Sequence, residues 1–416
     1  MKVFQINSIY RKGSTVRIAA DLKQVMEASG ISGFVAYGIG ENIGEDHVFL
    51  LQSKNEMRIS QVQSRLFARH GFNNVSATKR LFNHLDEIKP DIVHLHNIHG
   101  YYIHCGLLFE YIKENHIPVV WTLHDCWSFT GWCAYFDYSG CDKWKTFCHH
   151  CPSKKDYPRA WFSPRAKSNF RKKKMYFCGL ENLTLVTPSY WLAQLTRESF
   201  LKDYPVIVIN NGVDVNIFKP VKNNLKKELG IEGKKVILAV AGGLAIRKGR
   251  DYLLKIPSLL NQGEILVILG IRNDQIKILP QEKCIGKPYT NSVNELAAIY
   301  SAADDYVNTT LEDNFPTTNL EAMACGTPVV TFDTGGSVEP VLDKEDILNY
   351  GTAKNTSVGS VVPKGDMNTL IFAIRQYLSM DKKVISENCV KKAHLLFNKN
   401  KQYELYVKLY KELSSH

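Results

Sequence analysis

The chain alternates short apolar runs with amphipathic stretches of helical periodicity, and it does so twice. In the first half the apolar runs include "KVFQI", "GFVAYG", "DIVHLHN", "PVVWTLHD", "LTLVTPS" and "VIVINNG". The second half restarts the pattern with "KKVILAVAGG", "EILVILG", "DDYVNTT", "TPVVTFD" and "GSVVP". Strands that alternate with helices favour a parallel sheet covered by helices. We therefore predict an α/β protein with a doubly wound parallel sheet in each half.

The length of 416 residues also indicates two domains, because a single hydrophobic core stops growing near about 250–300 residues. An Asn-Gly pair and a proline in "NNGVDVNIFKP" mark the boundary. We predict an N-terminal domain over residues 1–210, with a Cys-rich and basic insertion at 126–177, and a C-terminal domain over 211–385. Residues 386–416 are predicted to be helical and to pack back towards the N-terminal domain.

Hydropathy and charge limit the location and the partners. Apolar runs stay short of the roughly 20 residues that cross a bilayer, and the polar start does not fit a signal peptide, so we expect a cytoplasmic protein. The net charge is +11, and nine bases meet one acid between Lys154 and Lys174, with aromatic residues interleaved. Such a stretch suits an anionic membrane face, nucleic acid or bound phosphates, with a solvated helix face as the alternative.

The segment "AGGLAIRKG" (241–249) lies between a predicted strand and a predicted helix. Gly242 and Gly243 let a ligand approach the backbone, while Arg247 and Lys248 supply positive charge and the helix N-terminus adds its dipole. These features predict a phosphate site. A tight turn with exposed bases remains the alternative, because the segment matches neither common phosphate-binding motif.

The segment "LEDNFPTTNLEAMACG" places Asp313 and Glu321 eight positions apart. It follows the predicted strand "DDYVNTT", and ligands of open α/β sheets bind at the carboxyl ends of strands. Two alternatives stay open. Thr318 and Glu321 fit a helix capping box, and Asp313 could be a turn acid before Asn314.

Together these segments resemble the signature region of retaining GT-B glycosyltransferases of family 4, the type that assembles bacterial surface polysaccharides. "WTLHD", "TPSYWL", "NNGVD", "FDTGGSVE" and the loop with Gly13 extend the resemblance over most of the chain. It implies two Rossmann-like domains that face a cleft. The C-terminal domain would bind a nucleotide-diphosphate sugar, and the N-terminal domain would bind the acceptor.

The resemblance also implies roles for individual residues. Glu321 would contact the nucleotide ribose, and Asp313, where the family has glutamate, would lie near the sugar with Glu312 as a substitute. Gly243 stands where many members have arginine, so Arg247 would share the diphosphate charge with Lys248. The predicted donor-binding residues are Gly13, Gly242, Gly243, Arg247, Lys248, Glu312, Asp313, Asn314, Phe315, Pro316, Thr317 and Glu321.

The predicted catalytic residues are His124, Asp313, Arg247 and Lys248. The resemblance places His124 beside the reacting sugar, where it would donate a hydrogen bond or support developing charge; a satisfied histidine at a strand end is the alternative. Fixed cations near the leaving diphosphate make a catalytic metal unnecessary. We interpret His94, His96 and His99 as cleft lining and not as metal ligands, because no acid stands in a ligand spacing near them.

Four of the ten cysteines cluster in the predicted insertion: Cys133, Cys141, Cys148 and Cys151. In a cytoplasmic protein this favours thiols or bound metal over disulfides. Four thiolates meet the ligand count of a closed structural zinc site, although the first spacings are looser than those of a zinc ribbon. Structural zinc and free thiols therefore both stay open.

The predicted activity is retaining transfer of a sugar from a UDP- or GDP-sugar to a glycan or polyprenyl-diphosphate-linked acceptor. The acceptor would be an intermediate of capsule, exopolysaccharide or O-antigen synthesis, and the basic stretch would hold the enzyme at the inner face of the cell membrane. A GT-B epimerase or phosphorylase is the enzymatic alternative. A basic nucleic-acid-binding protein is the alternative from another class, but no nucleic-acid-binding motif occurs and we expect no nucleic-acid partner.

Overall fold

A computed structural model describes residues 1–11, 17–154, 156–280, 282–349 and 354–414. The strands are β1 (Lys2–Ile9), β2 (Ser32–Ile39), β3 (Val48–Leu50), β4 (Ile92–Leu95), β5 (Val119–Thr122), β6 (Leu183–Thr187), β7 (Val206–Val208), β8 (Lys235–Val240), β9 (Glu264–Leu269), β10 (Cys284–Lys287), β11 (Asp305–Asn308), β12 (Val329–Phe332), β13 (Lys354–Asn355) and β14 (Gly359–Val362). The helices are α1 (Arg17–Ala28), α2 (Lys54–Phe67), α3 (Val75–Ile88), α4 (Cys105–Glu114), α5 (Ala166–Phe177), α6 (Tyr190–Glu198), α7 (Leu225–Glu228), α8 (Arg250–Leu253), α9 (Ile256–Leu259), α10 (Asn273–Ile276), α11 (Val293–Ala302), α12 (Thr317–Ala324), α13 (Lys344–Asn349), α14 (Met367–Ser379), α15 (Lys382–Leu396) and α16 (Lys399–Leu413).

The first sheet has the strand order β3-β2-β1-β4-β5-β6-β7, and its described neighbours all pair in parallel. The chain order reverses between β1 and β4. This is the switch point of a doubly wound sheet, at which ligands bind outside the carboxyl ends of the strands. The strands are buried on both faces, which explains why their sequences are continuous apolar runs.

The second sheet repeats this arrangement with the order β10-β9-β8-β11-β12-β14-β13. Its pairs are parallel except the last, in which β13 runs antiparallel to β14. The switch point here lies between β8 and β11. The predicted fold class, two parallel α/β domains, is therefore confirmed.

The chain divides into two compact units, residues 1–210 with 403–416, and residues 211–402. The division differs from the predicted one at the C-terminal end, where residues 386–402 group with the second unit. The reason is local packing, because α15 lies against α12. A break near Phe397 and Asn398 then separates α15 from α16, and the Asn398 side chain accepts the Asn400 amide at 3.0 Å.

The predicted insertion at 126–177 belongs to the core of the first unit. Seven of its aromatic residues are buried, namely Trp127, Phe129, Trp132, Phe136, Trp144, Phe170 and Phe177. Lys173, which we counted in the basic stretch, is also buried, and its Nζ donates to the carbonyl oxygens of Trp127 and Thr130 at 2.5 and 3.0 Å. Burial lowers the pKa of Lys173 to about 7. This lysine therefore adds nothing to the surface charge.

Helix α16 attaches to the first unit through a buried polar cluster as well as through apolar contacts. The hydroxyl of Tyr410 lies 2.6 Å from Nδ1 of His94, whose Nε2 lies 2.8 Å from the hydroxyl of Thr122. Tyr406 contacts the same Thr122 oxygen at 3.1 Å. Around this cluster, Tyr403 and Val407 pack on residues of α1, β1 and β5. Among the described residues, no helix is long and apolar enough to cross a membrane.

Removing one hydroxyl tests this attachment. In Tyr410→Phe the buried Nδ1 of His94 loses a partner, and we expect the free energy of unfolding of the first unit to fall by about 1–3 kcal/mol. Urea denaturation followed by tryptophan fluorescence measures the change. Tyr289→Phe makes the same replacement at an exposed residue and should leave the midpoint unchanged. Equal midpoints for both proteins would show that the buried hydroxyl does not hold α16.

Candidate active site

Three loops meet at the switch point of the second sheet. They follow β8, β11 and β12 and comprise residues 241–249, 309–316 and 333–339. The three strands are neighbours in the sheet and run in parallel, so their carboxyl ends lie at one edge. Both segments that the sequence predicted to bind the donor are therefore brought to the same edge.

The first loop leaves open space beside its two glycines. A Cβ on Gly242 would meet no atom within 4 Å, and one on Gly243 would meet only the Gln275 side chain at 4.0 Å. The loop continues into a 3₁₀ turn, Ile246–Lys248, and then into the four-residue helix α8. The predicted helix follows the loop but is interrupted, because α8 ends at Leu253 and Pro257 of α9 has no N–H with which to continue the hydrogen bonding of α8. The expected helix dipole is correspondingly small.

Gly249 joins the first loop to the second. Its φ is +74°, and a Cβ there would lie 1.8 Å from the carbonyl oxygen of Thr309. Any other residue would push the two segments apart, so glycine is required at this position. The amide of Leu311 also donates to the carbonyl oxygen of Arg247 at 2.8 Å. The backbone on both sides of Lys248 is thus fixed against the second loop.

Lys248 and Asp313 form an ion pair at 2.5 Å, with only part of each side chain exposed. The other carboxylate oxygen of Asp313 accepts the Asn314 amide at 2.9 Å, so the predicted turn role and the pairing occur together. The third loop supports this turn. The carbonyl oxygen of Asp313 accepts the Gly336 amide at 3.1 Å, and a Cβ on Gly335 would lie 2.0 Å from that oxygen.

Glu321 is not a capping residue. Helix α12 begins at Thr317 with Pro316 as its N-cap, and no side chain caps it. Glu321 therefore lies in the second turn, too far along to receive the first amides, and the capping-box alternative is wrong. Its Oε2 accepts the hydroxyl of the buried Tyr300 at 3.0 Å. The carboxylate of Glu321 can also accept hydrogen bonds from ligand hydroxyls.

Of the other predicted donor residues, three are buried in the second unit and one lies outside the described part of the chain. Glu312, Asn314 and Phe315 are buried, and the carbonyl oxygen of Phe315 accepts the Asn211 side chain at 3.3 Å. Gly13 falls outside the described residues. Sequence reasoning missed Asn308 and Asn319, which link β11 to α12 at 2.8 Å, and Asn319 also donates to the carbonyl oxygen of Ser337 at 3.0 Å.

In the first unit, His124 follows β5 near the switch point and is partly buried. Its Nε2 lies 3.2 Å from Nδ1 of His96, whose Nε2 lies 3.0 Å from the side-chain oxygen of Gln5. Gln5 in turn donates to the carbonyl oxygen of Ala19 at 2.9 Å. Two polar side chains, Gln5 of β1 and His96 at the end of β4, therefore orient the His124 ring.

Asp125 is the acidic partner that the sequence interpretation of the histidines did not find. Its Oδ2 lies 2.8 Å from Nε2 of His99, and its Oδ1 accepts the Trp127 amide at 2.8 Å. Burial raises the pKa of Asp125, but the charge and hydrogen bond of His99 outweigh burial, so the pKa lies below its usual value. Only the order of the strands could have predicted this pair. β4 and β5 are neighbouring parallel strands, so the residues that follow them lie close together.

Two family models match the chain, "Glycosyltransferase Family 4" over residues 34–217 and "Glycosyl transferases group 1" over residues 221–394. Together they extend over most of the two units. The chain is a glycosyltransferase of the family 4 type. The family and the transferase class that the sequence predicted are thereby confirmed.

One full-length relative of this glycosyltransferase is the putative colanic acid biosynthesis glycosyl transferase WcaC of Escherichia coli (strain K12). The two are 27% identical over 371 residues, which is 83% of this chain and 86% of WcaC. The putative glycosyltransferase YtcC of Bacillus subtilis (strain 168) is 29% identical over 202 residues, 41% of this chain and 49% of YtcC.

Solved structures show the same fold along the whole length. Sucrose-phosphate synthase of Thermosynechococcus elongatus superimposes with a TM-score of 0.71 at 16% identity, covering 100% of this chain and 99% of that one. Anabaena Alr3699/HepE in complex with UDP gives a TM-score of 0.67 at 16% identity, with 99% and 100% covered. At this identity the similarity shows the fold alone, and that fold is GT-B.

The cysteine cluster of the first unit consists of free thiols in this structure. Cys133 donates a hydrogen bond to Cys151, which lowers the pKa of Cys151 to about 7 and raises that of Cys133. Cys141 and Cys148 lie near enough to interact electrostatically. Among the described residues, no group of three or more His, Cys, Asp or Glu side chains is arranged to hold a metal ion. Zinc at these four residues stays a prediction.

The buried histidines of the first unit make its stability depend on pH. Burial lowers the pKa of His70, His94 and His96, and it lowers that of His124 to about 4. The unfolded chain, with histidine pKa values near about 6.5, takes up protons that the folded unit does not bind. Stability is therefore lost as the pH falls below about 6.5, by up to about 1.4 kcal/mol per pH unit for each such histidine.

We expect the urea midpoint of the first unit to be clearly lower at about pH 5.5 than at about pH 7.5. His96→Gln should reduce this difference, since one of the neutral buried rings is gone. His116→Gln, at an exposed position, is the matched control and should leave the difference unchanged. Equal midpoints at the two pH values would contradict burial of neutral histidines.

Proposed function

We propose that this glycosyltransferase moves a sugar, with retention of anomeric configuration, from a UDP- or GDP-sugar to a glycan acceptor. The observation that carries the proposal is the ion pair of Lys248 with Asp313 at the strand ends of one switch point, with Glu321 on the helix that follows the same loop. Glu321 would accept the ribose hydroxyls, as a carboxylate held by Tyr300 can. Lys248 and Arg247 would meet the diphosphate beside the open backbone of Gly242 and Gly243.

The proposed chemistry requires positive charge near the leaving group. As the sugar–phosphate bond breaks, the nucleoside diphosphate gains negative charge, and fixed cations aimed at it lower the barrier. Same-face substitution lets the leaving phosphate oxygen accept the proton of the attacking hydroxyl. Asp313 would bind sugar hydroxyls and form no bond to carbon. A glycosyl adduct on Asp313, detected by mass spectrometry of the protein with donor alone, would contradict this mechanism.

His124 would act on the sugar as a neutral hydrogen-bonding group. Burial lowers the pKa of His124 to about 4, so the ring carries no charge near neutral pH. Contact with His96 orients it. The resemblance implied two roles for His124, a hydrogen bond to the sugar or support of the developing charge. Because the ring is neutral, the hydrogen bond is favoured.

The acceptor is proposed to be a growing, lipid-linked intermediate of an exopolysaccharide. Support comes from WcaC, a relative described as a putative colanic acid biosynthesis glycosyl transferase. A UDP-sugar is favoured as donor by the fold neighbour HepE, which is described in complexes with UDP and with UDP-glucose. In this proposal the first unit binds the acceptor at the carboxyl ends of β4 and β5, near Asp125 and His124.

A thermal-shift screen of UDP, GDP, ADP and their sugars tests the donor. The matching nucleotide should raise the melting temperature most, because stabilisation grows with the logarithm of ligand concentration over Kd. In Glu321→Gln we expect the affinity for that nucleotide to fall about ten-fold or more, because a charge-assisted hydrogen bond is lost. Asp313→Asn should lower turnover without lowering nucleotide affinity.

Glu232→Gln, an equivalent change at an exposed residue of the same unit, is the control and should bind as the unaltered protein does. If no nucleotide stabilises the protein, the proposed donor class is wrong. Incubation of the identified donor without acceptor gives a further check. Conversion of the sugar under those conditions would indicate an epimerase instead of a transferase.

A further inference from the structure

Helix α2 carries its apolar residues on the outside. Its buried residues are Ser60 and Ser64, whereas Ile59, Val62 and Leu66 are 59%, 48% and 36% exposed. Positions spaced by three and four residues share one helix face, so these three form a stripe. A surface helix normally buries such a stripe. The opposite arrangement marks a face that has no covering element among the described residues.

The apolar face of α2 continues into the segment before α5. The amide of Trp161 donates to the carbonyl oxygen of Arg65 at 2.9 Å, near the end of α2. The Asn169 side chain of α5 donates to the carbonyl oxygens of Ala68 and Pro164 at 3.0 and 3.1 Å. The end of α2, the loop and the start of α5 are therefore one continuous surface. Several large side chains project from it: Phe67 at 40%, Trp161 at 56%, Phe162 at 69% and Met175 at 63% exposure.

This surface is also strongly positive. Residues 57–70 and 157–178 contain ten lysines and arginines and no aspartate or glutamate. Apart from the buried Lys173, the other nine are at least partly exposed. Met175 lines a shallow surface groove with Arg165, Lys167, Arg171 and Lys172, so apolar and basic groups alternate over short distances.

We propose that this surface, formed by residues 57–67 of α2, residues 157–165 and the outer face of α5, docks on an anionic lipid bilayer. We name it the α2–α5 surface. Exposed aromatic and aliphatic side chains enter the headgroup region, while the surrounding bases attract anionic headgroups. Charge complementarity selects a lipid surface, since an acid-free face of this size repels a second copy of itself. Docking would bring the first unit to a lipid-linked acceptor, so the proposal extends the proposed function.

Vesicle flotation tests the docking. The full chain should float with vesicles that contain phosphatidylglycerol, should float weakly with phosphatidylcholine alone, and should be released by salt. In the variant Ile59→Gln, Val62→Gln, Leu66→Gln we expect membrane partitioning to fall about ten-fold or more, because the apolar groups that enter the headgroup region are lost. Glutamine keeps the helix propensity of α2 high, and circular dichroism verifies the fold.

A control replaces three apolar residues of the second unit that are at least as exposed on average, Ile278→Gln, Phe372→Gln and Val384→Gln. It should float as the unaltered protein does. A charge variant, Lys167→Gln, Arg171→Gln, Lys172→Gln, should lose the preference for phosphatidylglycerol. Failure of the unaltered protein to float would overturn the proposal, and so would equal flotation of the α2 variant.

Two further measurements separate the possible outcomes. If the protein is a dimer by light scattering and the α2 variant is a monomer, a second copy covers the surface and the lipid proposal is wrong. Donor binding in the thermal-shift screen should be the same for the α2 variant and the unaltered protein. Flotation without any nucleotide binding would refute the proposed function alone, whereas nucleotide binding without flotation would refute the docking alone.

Discussion

The close approach of Gly249 to the carbonyl oxygen of Thr309 is the contact on which the candidate donor site depends. A side chain at position 249 would lie 1.8 Å from that oxygen, so the two loops can meet only with glycine there. Because they meet, the Lys248 side chain reaches Asp313 at 2.5 Å. The contact itself requires β8 and β11 to be neighbours, which is the consequence of a chain order that reverses at this point of the sheet. The strand order thus brings the two loops together, Gly249 lets them touch, and their contact places Lys248 beside Asp313.

The sequence predicted most of the strands and both donor loops, because continuous apolar runs and glycine-rich turns are local signals. It did not predict β3 or β10, since the short segments "VFL" and "CIGK" lie at or near sheet edges and carry little pattern. Glu321 shows a different limit. Its spacing from Thr318 fits a cap, and only the observed start of α12 at Thr317 decides against it. The pairing of His99 with Asp125 depended on which strands are neighbours, and no local pattern contains that information.

The interior of the first unit combines polar side chains with a large aromatic core. His94 and His96 bond to Tyr410 and to the side chains of Thr122 and Gln5, Tyr406 contacts the same threonine, and Lys173 donates to backbone carbonyl oxygens. Buried polar groups that are hydrogen-bonded help to fix a unique arrangement, and the loss of one partner costs about 1–3 kcal/mol. A sequence reader counts these residues as surface or site residues. Lys173 illustrates the error. Its amino group is buried and donates to the carbonyl oxygens of residues 127 and 130, so it does not add to the positive surface of the basic stretch around it.

The ion pair between Lys248 and Asp313 gives a reason for the aspartate at position 313, which the resemblance places near the sugar and where the family has glutamate. The two groups already satisfy each other, so a donor diphosphate near Gly242 and Gly243 would compete with Asp313 for the lysine. A diphosphate carries more charge than one carboxylate, and Lys248 would therefore turn towards it. Asp313 would then be released towards the hydroxyls of the same donor. On this view the shorter side chain is compensated by a lysine that holds it in place until the nucleotide arrives. Nucleotide affinity that rises in Asp313→Asn would support such competition, and affinity that falls sharply would refute it.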